Sequence, residues 1–191
     1  MEANFFQVHP DLHHAPSFPV DDMTKTWGNP GLTPGGHSWD KGYSPMFKYE
    51  WNRTYESLQA LSQASEGSPY DGILMEYINP VTHGPVMQTM GASMQMLRPG
   101  EKTQAHRHTG SYLYQVCKGS GHSVINGQRF DWRECDIFCV PSWAWHEHAN
   151  GSDTEEACLF CLNDLPVMRA LGLYREEGFG DNGGHQPLAA Q

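Results

Sequence analysis

The sequence is poor in basic residues: 12 lysines and arginines stand against 22 acidic residues, giving a formal net charge of −10 at pH 7. A protein that binds nucleic acid or an anionic membrane usually carries an excess of positive charge where it makes contact, so neither partner is expected. An anionic small molecule is still compatible with this charge, because a buried metal cation can dominate the electrostatics of its own pocket.

Long hydrophobic runs and an even number of cysteines are also lacking. No stretch approaches the roughly 20 apolar residues that cross a bilayer, and the first residues show neither the basic region nor the apolar run of a secretion signal. With five cysteines and no such signal, we expect reduced thiols and a cytoplasmic protein. Cys158 and Cys161 are spaced as C-x-x-C, but their apolar surroundings are more typical of a buried strand.

The pattern along the 191 residues divides the chain into three regions. Residues 1–50 show no apolar periodicity and are rich in histidine, proline and glycine, which predicts an extended arm that lies over another surface. Aromatic residues give this arm anchors, and we expect it to dock on a second subunit and so to build a homo-oligomer. Residues 51–178 are predicted to form the folded domain, and the glycine-rich residues 179–191 a flexible tail.

Short strands separated by glycine and proline dominate the folded domain. We predict strands over residues 73–77, 87–97, 112–117, 123–125, 137–140 and 157–162, with a tight hairpin at Asn126-Gly127. One or two short helices flank them, over residues 54–65 and after Asp164. Strands at this regular spacing predict a small all-β sandwich or barrel.

Three histidines of this domain are placed to meet. His106 and His108 are one residue apart, so on a strand their imidazoles share a face. His146 is expected on a distant strand. Three converging imidazoles make a metal site with open positions for substrate, and iron, zinc, nickel or copper would suit it. The alternative is a set of core or surface histidines that bind no metal.

The spacing around the three histidines follows two motifs. The first runs from Gly100 through His106-x-His108 to Gly119, and the second contains Cys135, Pro141, His146 and Asn150. Together they resemble the two motifs of the cupin superfamily, small jelly-roll β-barrels that hold a metal inside. The resemblance implies a single cupin in which His106, His108 and His146 bind the metal.

The chain departs from the usual cupin motifs at two places. The glutamate that normally follows the second histidine is missing, with Tyr112 and Leu113 at those positions, and Cys135 and Trp143 stand where glycines are usual. Three neutral imidazoles leave a divalent metal its full charge and up to three open positions. Such a site favours an anionic bidentate substrate with room for oxygen.

Longer segments resemble one branch of the cupins, the gentisate 1,2-dioxygenases and their relatives that cleave salicylate and 1-hydroxy-2-naphthoate. The segments include Tyr77-Ile-Asn-Pro-Val-Thr82, Leu97-Arg-Pro-Gly-Glu101, His106-Arg-His-Thr-Gly110 and Val140-Pro-Ser-Trp-Ala-Trp-His-Glu-His-Ala-Asn150. The resemblance covers about residues 45–177 and is to the C-terminal cupin of these two-cupin proteins. It implies a non-haem Fe(II) enzyme that opens the ring of gentisate or a related hydroxybenzoate with O2. Zinc, nickel or manganese are the alternative metals.

Four further residues are candidates for the pocket. By the same resemblance, Gln95 matches a substrate-binding glutamine, and His148 matches a pocket histidine that could act as a catalytic acid or base. Strand alternation should turn Tyr112 and Tyr114 inward as substrate-binding groups. Tyr114 also replaces an arginine that helps hold the substrate carboxylate in the family's iron-bearing cupin, so we assign it a catalytic role as well. Each of the four could instead fill the core.

Two other functions compete with ring cleavage. The missing arginine and the half length relative to two-cupin relatives favour a non-catalytic cupin, in which a metal staples the barrel or the domain serves oligomerisation. A cupin that uses another metal, such as zinc or manganese, for decarboxylation or hydrolysis is the third possibility.

Overall fold

A computed structural model describes residues 20–189, with side chains from residue 22 onward. Its strands form two five-stranded antiparallel sheets. The first sheet has the order β1-β2-β9-β4-β7 and contains β1 (Ile73–Tyr77), β2 (Gly91–Leu97), β4 (Tyr112–Lys118), β7 (Ile137–Val140) and β9 (Ala157–Asn163). The second has the order β10-β3-β8-β5-β6 and contains β3 (His106–His108), β5 (Ser120–Ile125), β6 (Gln128–Arg133), β8 (His146–Asn150) and β10 (Glu176–Gly178). The predicted all-β fold is confirmed.

Alternation along β2 shows how the sequence builds two cores. Leu97 points between the sheets, where it joins a buried cluster with residues such as Tyr114 and Leu159. Met94 and Met96 point to the other face of the first sheet. There they pack beneath helix α2 (Trp51–Ala64), which contributes the fully buried Leu58. The inner cluster therefore forms the barrel interior, and the helix covers apolar surface that would otherwise face water.

The predicted hairpin joins β5 to β6 at Asn126 and Gly127. Their φ angles are 48° and 79°, and positive φ at both central residues is the signature of a type I′ turn, whose twist matches that of the flanking strands. The Asn126 side-chain oxygen also accepts a hydrogen bond from the Trp145 backbone at 3.0 Å. This contact ties the hairpin to the loop that leads into β8.

Helix boundaries differ from the sequence-based predictions. Helix α2 begins at Trp51, three residues earlier than predicted, and no side chain caps it. The Thr54 hydroxyl instead donates to the Glu50 carbonyl at 3.1 Å, inside the first turn. Helix α3 (Leu165–Ala170) follows Asp164 as predicted, but the Asp164 carboxylate accepts a hydrogen bond from the Ser111 backbone rather than capping the helix.

The predicted N-terminal arm contains more structure than expected. Residues 1–19 lie outside the described part of the chain, but Val20–Trp27 form an additional helix, α1. Trp27 is buried and its ring lies 6.4 Å from that of Trp39. The described part of the arm is therefore held by aromatic contacts and includes a helix, so it is not extended throughout as predicted.

The end of the described chain packs on the barrel, which corrects the predicted flexible tail for these residues. Gln186 is only 7% exposed. Its side-chain nitrogen donates a hydrogen bond to the Val124 carbonyl at 2.9 Å, and its side-chain oxygen accepts one from the Gly127 backbone N–H at 3.0 Å. Polar side chains of this segment are thus used to cover the second sheet, a role that composition alone does not reveal.

The five cysteines are all unpaired. Cys158 and Cys161 lie on opposite faces of β9, because Cys161 belongs to the barrel interior and Cys158 to the cluster under α2. Burial raises the pKa of each thiol to about 12. The pair therefore serves packing, as the apolar surroundings indicate. None of the helices between residues 20 and 189 is long and apolar enough to cross a membrane.

Candidate metal centre

Pairing between β3 and β8 brings the three predicted histidines together. His106 lies directly opposite His146 in the antiparallel register, and His108 shares the inner face of β3 with His106. The ring centroids are 4.3 Å apart for His106 and His146, 5.3 Å for His106 and His108, and 4.8 Å for His108 and His146. One nitrogen from each ring lies within 4.8 Å of the other two. The three side chains are therefore placed to share one ion.

Several buried polar atoms around the histidines have no hydrogen-bond partner among the described residues. They are His106 Nδ1, both ring nitrogens of His108, and the Nε2 atoms of His146 and His148, together with Gln95 Nε2. Buried nitrogen atoms of this kind cost about 1–3 kcal/mol each when unsatisfied. A cluster of them at one place indicates that the protein is built to bind something there, and imidazole nitrogens suit a divalent metal.

Electrostatics keep these imidazoles neutral. Burial lowers the pKa of His106 to about 3, with further lowering by His108 and His148. Burial is also the main cause that lowers the pKa of His108 and that holds the pKa of His146 well below 6.5. Only a neutral imidazole has a lone pair to offer a metal. The site therefore presents its ligand atoms without first having to lose protons at neutral pH.

A backbone carbonyl fixes which nitrogen of His146 faces the site. Nδ1 lies 3.0 Å from the Ala144 carbonyl. Because a carbonyl only accepts, Nδ1 must carry the hydrogen and Nε2 keeps its lone pair. Histidines that bind metals are commonly oriented in this way, through a hydrogen bond from the other ring nitrogen.

A similar network assigns the opposite tautomer to His148. The Ser123 hydroxyl oxygen accepts a hydrogen bond from the Trp132 indole at 2.9 Å and lies 2.7 Å from His148 Nδ1. The hydroxyl hydrogen has no other acceptor among the described residues, so it is donated to Nδ1 and the imidazole hydrogen is on Nε2. Burial holds the pKa of His148 well below its usual value. His148 is therefore a hydrogen-bond donor at Nε2, and the predicted role of a base does not suit it.

A cavity of about 200 Å³ opens next to the histidines and is lined by three of the four other predicted pocket residues. Gln95, Tyr112 and Tyr114 line it together with His106 and His108, whereas His146 and His148 lie behind this wall. A larger cavity of about 510 Å³ adjoins it and shares part of its wall, namely Glu76, Ser93, Asn163, Leu165 and Arg169. Another, of about 650 Å³, shares no lining residue with it. Neither larger cavity is lined by any of the three histidines, so the cavity of about 200 Å³ is the candidate site.

The two tyrosines face the cavity as neutral phenols. The Tyr112 ring lies 4.2 Å from that of His108, and the Tyr114 ring stacks on Phe138 at 5.1 Å and meets His148 at 4.9 Å. Burial raises the pKa of both hydroxyls. They therefore remain protonated and can donate hydrogen bonds to an anionic ligand.

Five further cavity residues with charged or phenolic side chains were missed by the sequence analysis: Asp71, Glu76, Arg169, Tyr174 and Glu176. They come from the segment before β1, from β1, from α3, from the loop after α3 and from β10. Burial raises the pKa of Asp71, whose carboxylate accepts a hydrogen bond from the Ser68 hydroxyl at 2.9 Å. None of these residues belongs to a histidine motif, so only the tertiary fold reveals them.

Arg107, between the two histidines of β3, points away from the site as alternation predicts. Its guanidinium pairs with Glu177 of β10 at 2.6 Å and lies over the rings of Trp143 and Trp145, at 4.6 and 4.4 Å from their centroids. These contacts fasten the outer face of β3, and so they hold the strand that carries His106 and His108.

Comparison with known proteins gives consistent relatives. The cupin domain model matches residues 93–163, which include the three histidines, Gln95, Tyr112 and Tyr114. The chain is 45% identical over 148 residues to a 5-aminosalicylate 1,2-dioxygenase of Comamonas sp. This alignment covers 77% of the chain and 39% of the relative. It is 33% identical over 183 residues to a gentisate 1,2-dioxygenase of Streptomyces sp, with coverage of 92% and 49%.

The fold comparison agrees with these sequence matches. The salicylate 1,2-dioxygenase of Pseudoaminobacter salicylatoxidans, solved with gentisate, superposes with a TM-score of 0.73 at 32% identity, over 81% of this chain and 43% of that one. The chain thus spans less than half the length of the relatives it matches. Both comparisons place the similarity in the barrel and its histidines, so the chain carries a cupin domain related to those of the gentisate and salicylate 1,2-dioxygenases.

Proposed function

We propose that the chain is a non-haem Fe(II) dioxygenase that opens the ring of gentisate or a related hydroxybenzoate. The observation that carries this proposal is the buried cluster of His106, His108 and His146 beside a cavity. Each ring offers a nitrogen within 4.8 Å of the other two, and each ring has a buried nitrogen without a partner among the described residues. The similarity to ring-cleaving dioxygenases over the same residues supports the choice of reaction.

The three histidines would hold the metal with neutral nitrogen ligands and no carboxylate. Bound iron would supply a positive centre with open positions for a chelating acid and oxygen, and the capacity to pass electrons between them. The role of this chain's residues is to exclude water and to fix the ring. The space beside the histidines, about 200 Å³, is small compared with typical pockets of about 300–1,000 Å³, which favours a substrate that places a single ring there.

Gln95, Tyr112 and Tyr114 would orient the acid. All three line the cavity, and the side-chain nitrogen of Gln95 is buried without a partner among the described residues. Neutral phenols and an amide donate hydrogen bonds to the oxygens of a hydroxybenzoate without adding charge. His148 would stay behind Tyr114, where its ring supports the Tyr114 ring at 4.9 Å and its neutral Nε2–H can donate a hydrogen bond.

The direct test is oxygen uptake by iron-loaded protein over a panel of gentisate, salicylate and 5-aminosalicylate. We expect uptake with at least one acid and a ring-opened product, and no uptake in His106→Ala. His185→Ala is the matched control, because this histidine is bonded to Glu147 on the other side of β8. Absence of turnover with every acid by protein of proven iron content would overturn the proposal.

One observation favours a non-catalytic cupin instead. Tyr114 is buried and neutral where an arginine would bind the substrate carboxylate. In this case a bound metal would only stabilise the barrel by cross-linking its strands. Removal of the metal would then lower the melting temperature, while no aromatic acid would perturb the spectrum of the bound ion. Elemental analysis separates both functions from a zinc or manganese cupin that decarboxylates or hydrolyses its substrate.

We also propose a homo-oligomer built through the N-terminal arm and a cytoplasmic location. The arm's aromatic rings support the first proposal, since Tyr43 and Phe47 remain exposed while they contact each other at 6.2 Å. The five unpaired thiols support the second. Solution scattering that gives the mass of a monomer would contradict the oligomer.

A further inference from the structure

Arg169 provides a cation at the histidine cavity. It lies in the last turn of α3, is exposed, and lines the cavity together with His106 and His108. Among the cavity residues that the structure describes, it is the only lysine or arginine. Within residues 20–189 its guanidinium has no hydrogen bond or ion pair; its one recorded contact is with the Tyr174 ring, 5.4 Å away. Its N–H donors are therefore available to a ligand.

A short series of contacts links Arg169 to the strand of the candidate metal ligands. The Tyr174 ring supports the guanidinium, and the Tyr174 hydroxyl donates to Glu176 at 2.8 Å. Glu176 in turn pairs with His108 in the register of β10 and β3. Burial raises the pKa of Tyr112, and the guanidinium acts in the opposite direction on the same hydroxyl, as expected for a cation near the cavity interior.

The other charged groups of the cavity are acidic, and they oppose the entry of an acid. Asp71, Glu76 and Glu176 contribute three carboxylates to the wall. Asp71 accepts a hydrogen bond from Ser68 and Glu176 accepts one from Tyr174, while no ion pair joins either to Arg169 within the described chain. An entering carboxylate would be repelled by these groups, and Arg169 is the one lysine or arginine of the described wall that attracts it by charge.

We propose that Arg169 recognises the carboxylate of the aromatic acid and replaces the arginine whose position Tyr114 occupies. The inference rests on the proposed function in one respect, namely that the ligand is a hydroxybenzoate. Guanidinium can give a carboxylate two parallel N–H···O bonds, whereas the Tyr114 hydroxyl can give only one. Arg169 thereby determines specificity for acids over neutral phenols of the same shape.

The test measures binding by calorimetry in metal-loaded protein with two probes, gentisate and 2,5-dihydroxybenzamide. The amide keeps the ring, both hydroxyls and a carbonyl oxygen but lacks the negative charge. Arg169→Met is compared with Arg169→Lys and with Arg129→Met, which removes an exposed arginine that pairs with Asp131 on β6. We expect Arg169→Met to lower the affinity for gentisate about 10- to 100-fold, the range that corresponds to loss of a charged hydrogen bond. Arg169→Lys should recover part of this loss.

The amide and the control separate recognition from a structural effect. Binding of the amide should change less than about 2-fold in all three variants, and Arg129→Met should bind gentisate like the wild type. Equal loss for both probes in Arg169→Met, no loss for gentisate, or no gentisate binding by the wild type would each overturn the proposal. If the wild type binds gentisate but consumes no oxygen, the proposed function fails while the calorimetry still decides the role of Arg169.

Discussion

The two faces of β8 differ in how they treat buried polar groups. All five residues of this strand are buried. On the inner face, His146 and His148 each keep a ring nitrogen without a partner among the described residues. On the outer face, the Glu147 carboxylate accepts hydrogen bonds from His185 at 2.7 Å and from the Gln186 backbone at 3.3 Å, and lies 3.7 Å from Lys102.

The contrast distinguishes a scaffold from a site. Polar groups that serve the fold have protein partners, as Glu147 does, because an unsatisfied buried group destabilises the folded state. Polar groups that serve a ligand are oriented by one hydrogen bond and keep another polar atom without a protein partner. His146 is an example, because Nδ1 is bonded to the Ala144 carbonyl and Nε2 has no partner among the described residues. Substitutions on the inner face should therefore impair the function of the protein, and substitutions on the outer face should lower its stability.

The largest effect is expected from His106→Ala. Removal of one of three ligands should lower metal affinity by at least about 100-fold, since loss even of a supporting group costs 10- to 100-fold. The metal-free variant should unfold no more easily than the metal-free wild type, because the change removes a buried ring nitrogen that has no partner among the described residues. Metal titration and urea unfolding of both proteins check this. A strong loss of metal-free stability would make His106 part of the scaffold.

Acid should destabilise the metal-free protein through the inner face. The unfolded chain protonates His106 below its usual pKa of 6.5, whereas burial keeps the folded-state pKa at about 3. Stability should thus be constant above pH 6.5 and fall as pH decreases toward 3, by up to about 1.4 kcal/mol per pH unit for each such histidine. Urea unfolding at pH 7.5, 6 and 5 measures the slope, and His106→Asn should reduce it. An identical slope in this variant would contradict the assignment.

A change on the outer face should act on the fold and spare the metal. Glu147→Ala removes a buried acceptor and leaves His185 and the Gln186 backbone without their partner. We expect a loss of about 2 kcal/mol in the free energy of unfolding, typical of hydrogen bonds to a charged group. Metal content should equal that of the wild type. Loss of metal from a well-folded Glu147→Ala protein would remove the distinction between the two faces.

The smallest effect is expected from Tyr114→Phe. The change removes one neutral donor from the cavity wall and retains the ring that stacks on Phe138 at 5.1 Å. Gentisate affinity should fall by only about 2- to 10-fold, because a neutral hydrogen bond contributes about 0.5–1.5 kcal/mol. A loss comparable to that expected for Arg169→Met would show that the phenol, and not the guanidinium, is the main group that holds the acid.

Local patterns were sufficient to predict much of the barrel. Period-two alternation turned Tyr112 and Tyr114 toward the cavity, and Asn126-Gly127 predicted the hairpin with its positive φ angles. The meeting of His106 with His146 followed from motif spacing. Each of these features depends on a strand or turn whose geometry is set by a few neighbouring residues.

Features that depend on distant packing were not predicted. Arg169 reaches the cavity because α3 follows β9 back to the barrel mouth, and Gln186 is buried because the chain end crosses the second sheet. Cys135 and Trp143 retain positive φ angles of 74° and 64° although neither is glycine. The backbone conformation of the usual cupin motif is thus kept by the surrounding fold at the expense of some local strain.

The metal content of untagged protein tests the central claim most directly. Elemental analysis of the wild type beside His106→Ala and Glu147→Ala should give roughly one ion per chain in the wild type and in Glu147→Ala, and almost none in His106→Ala. That result would identify the unpaired nitrogens of the inner face as a metal site. No metal in the wild type after loading with iron, or equal metal in all three proteins, would contradict the account.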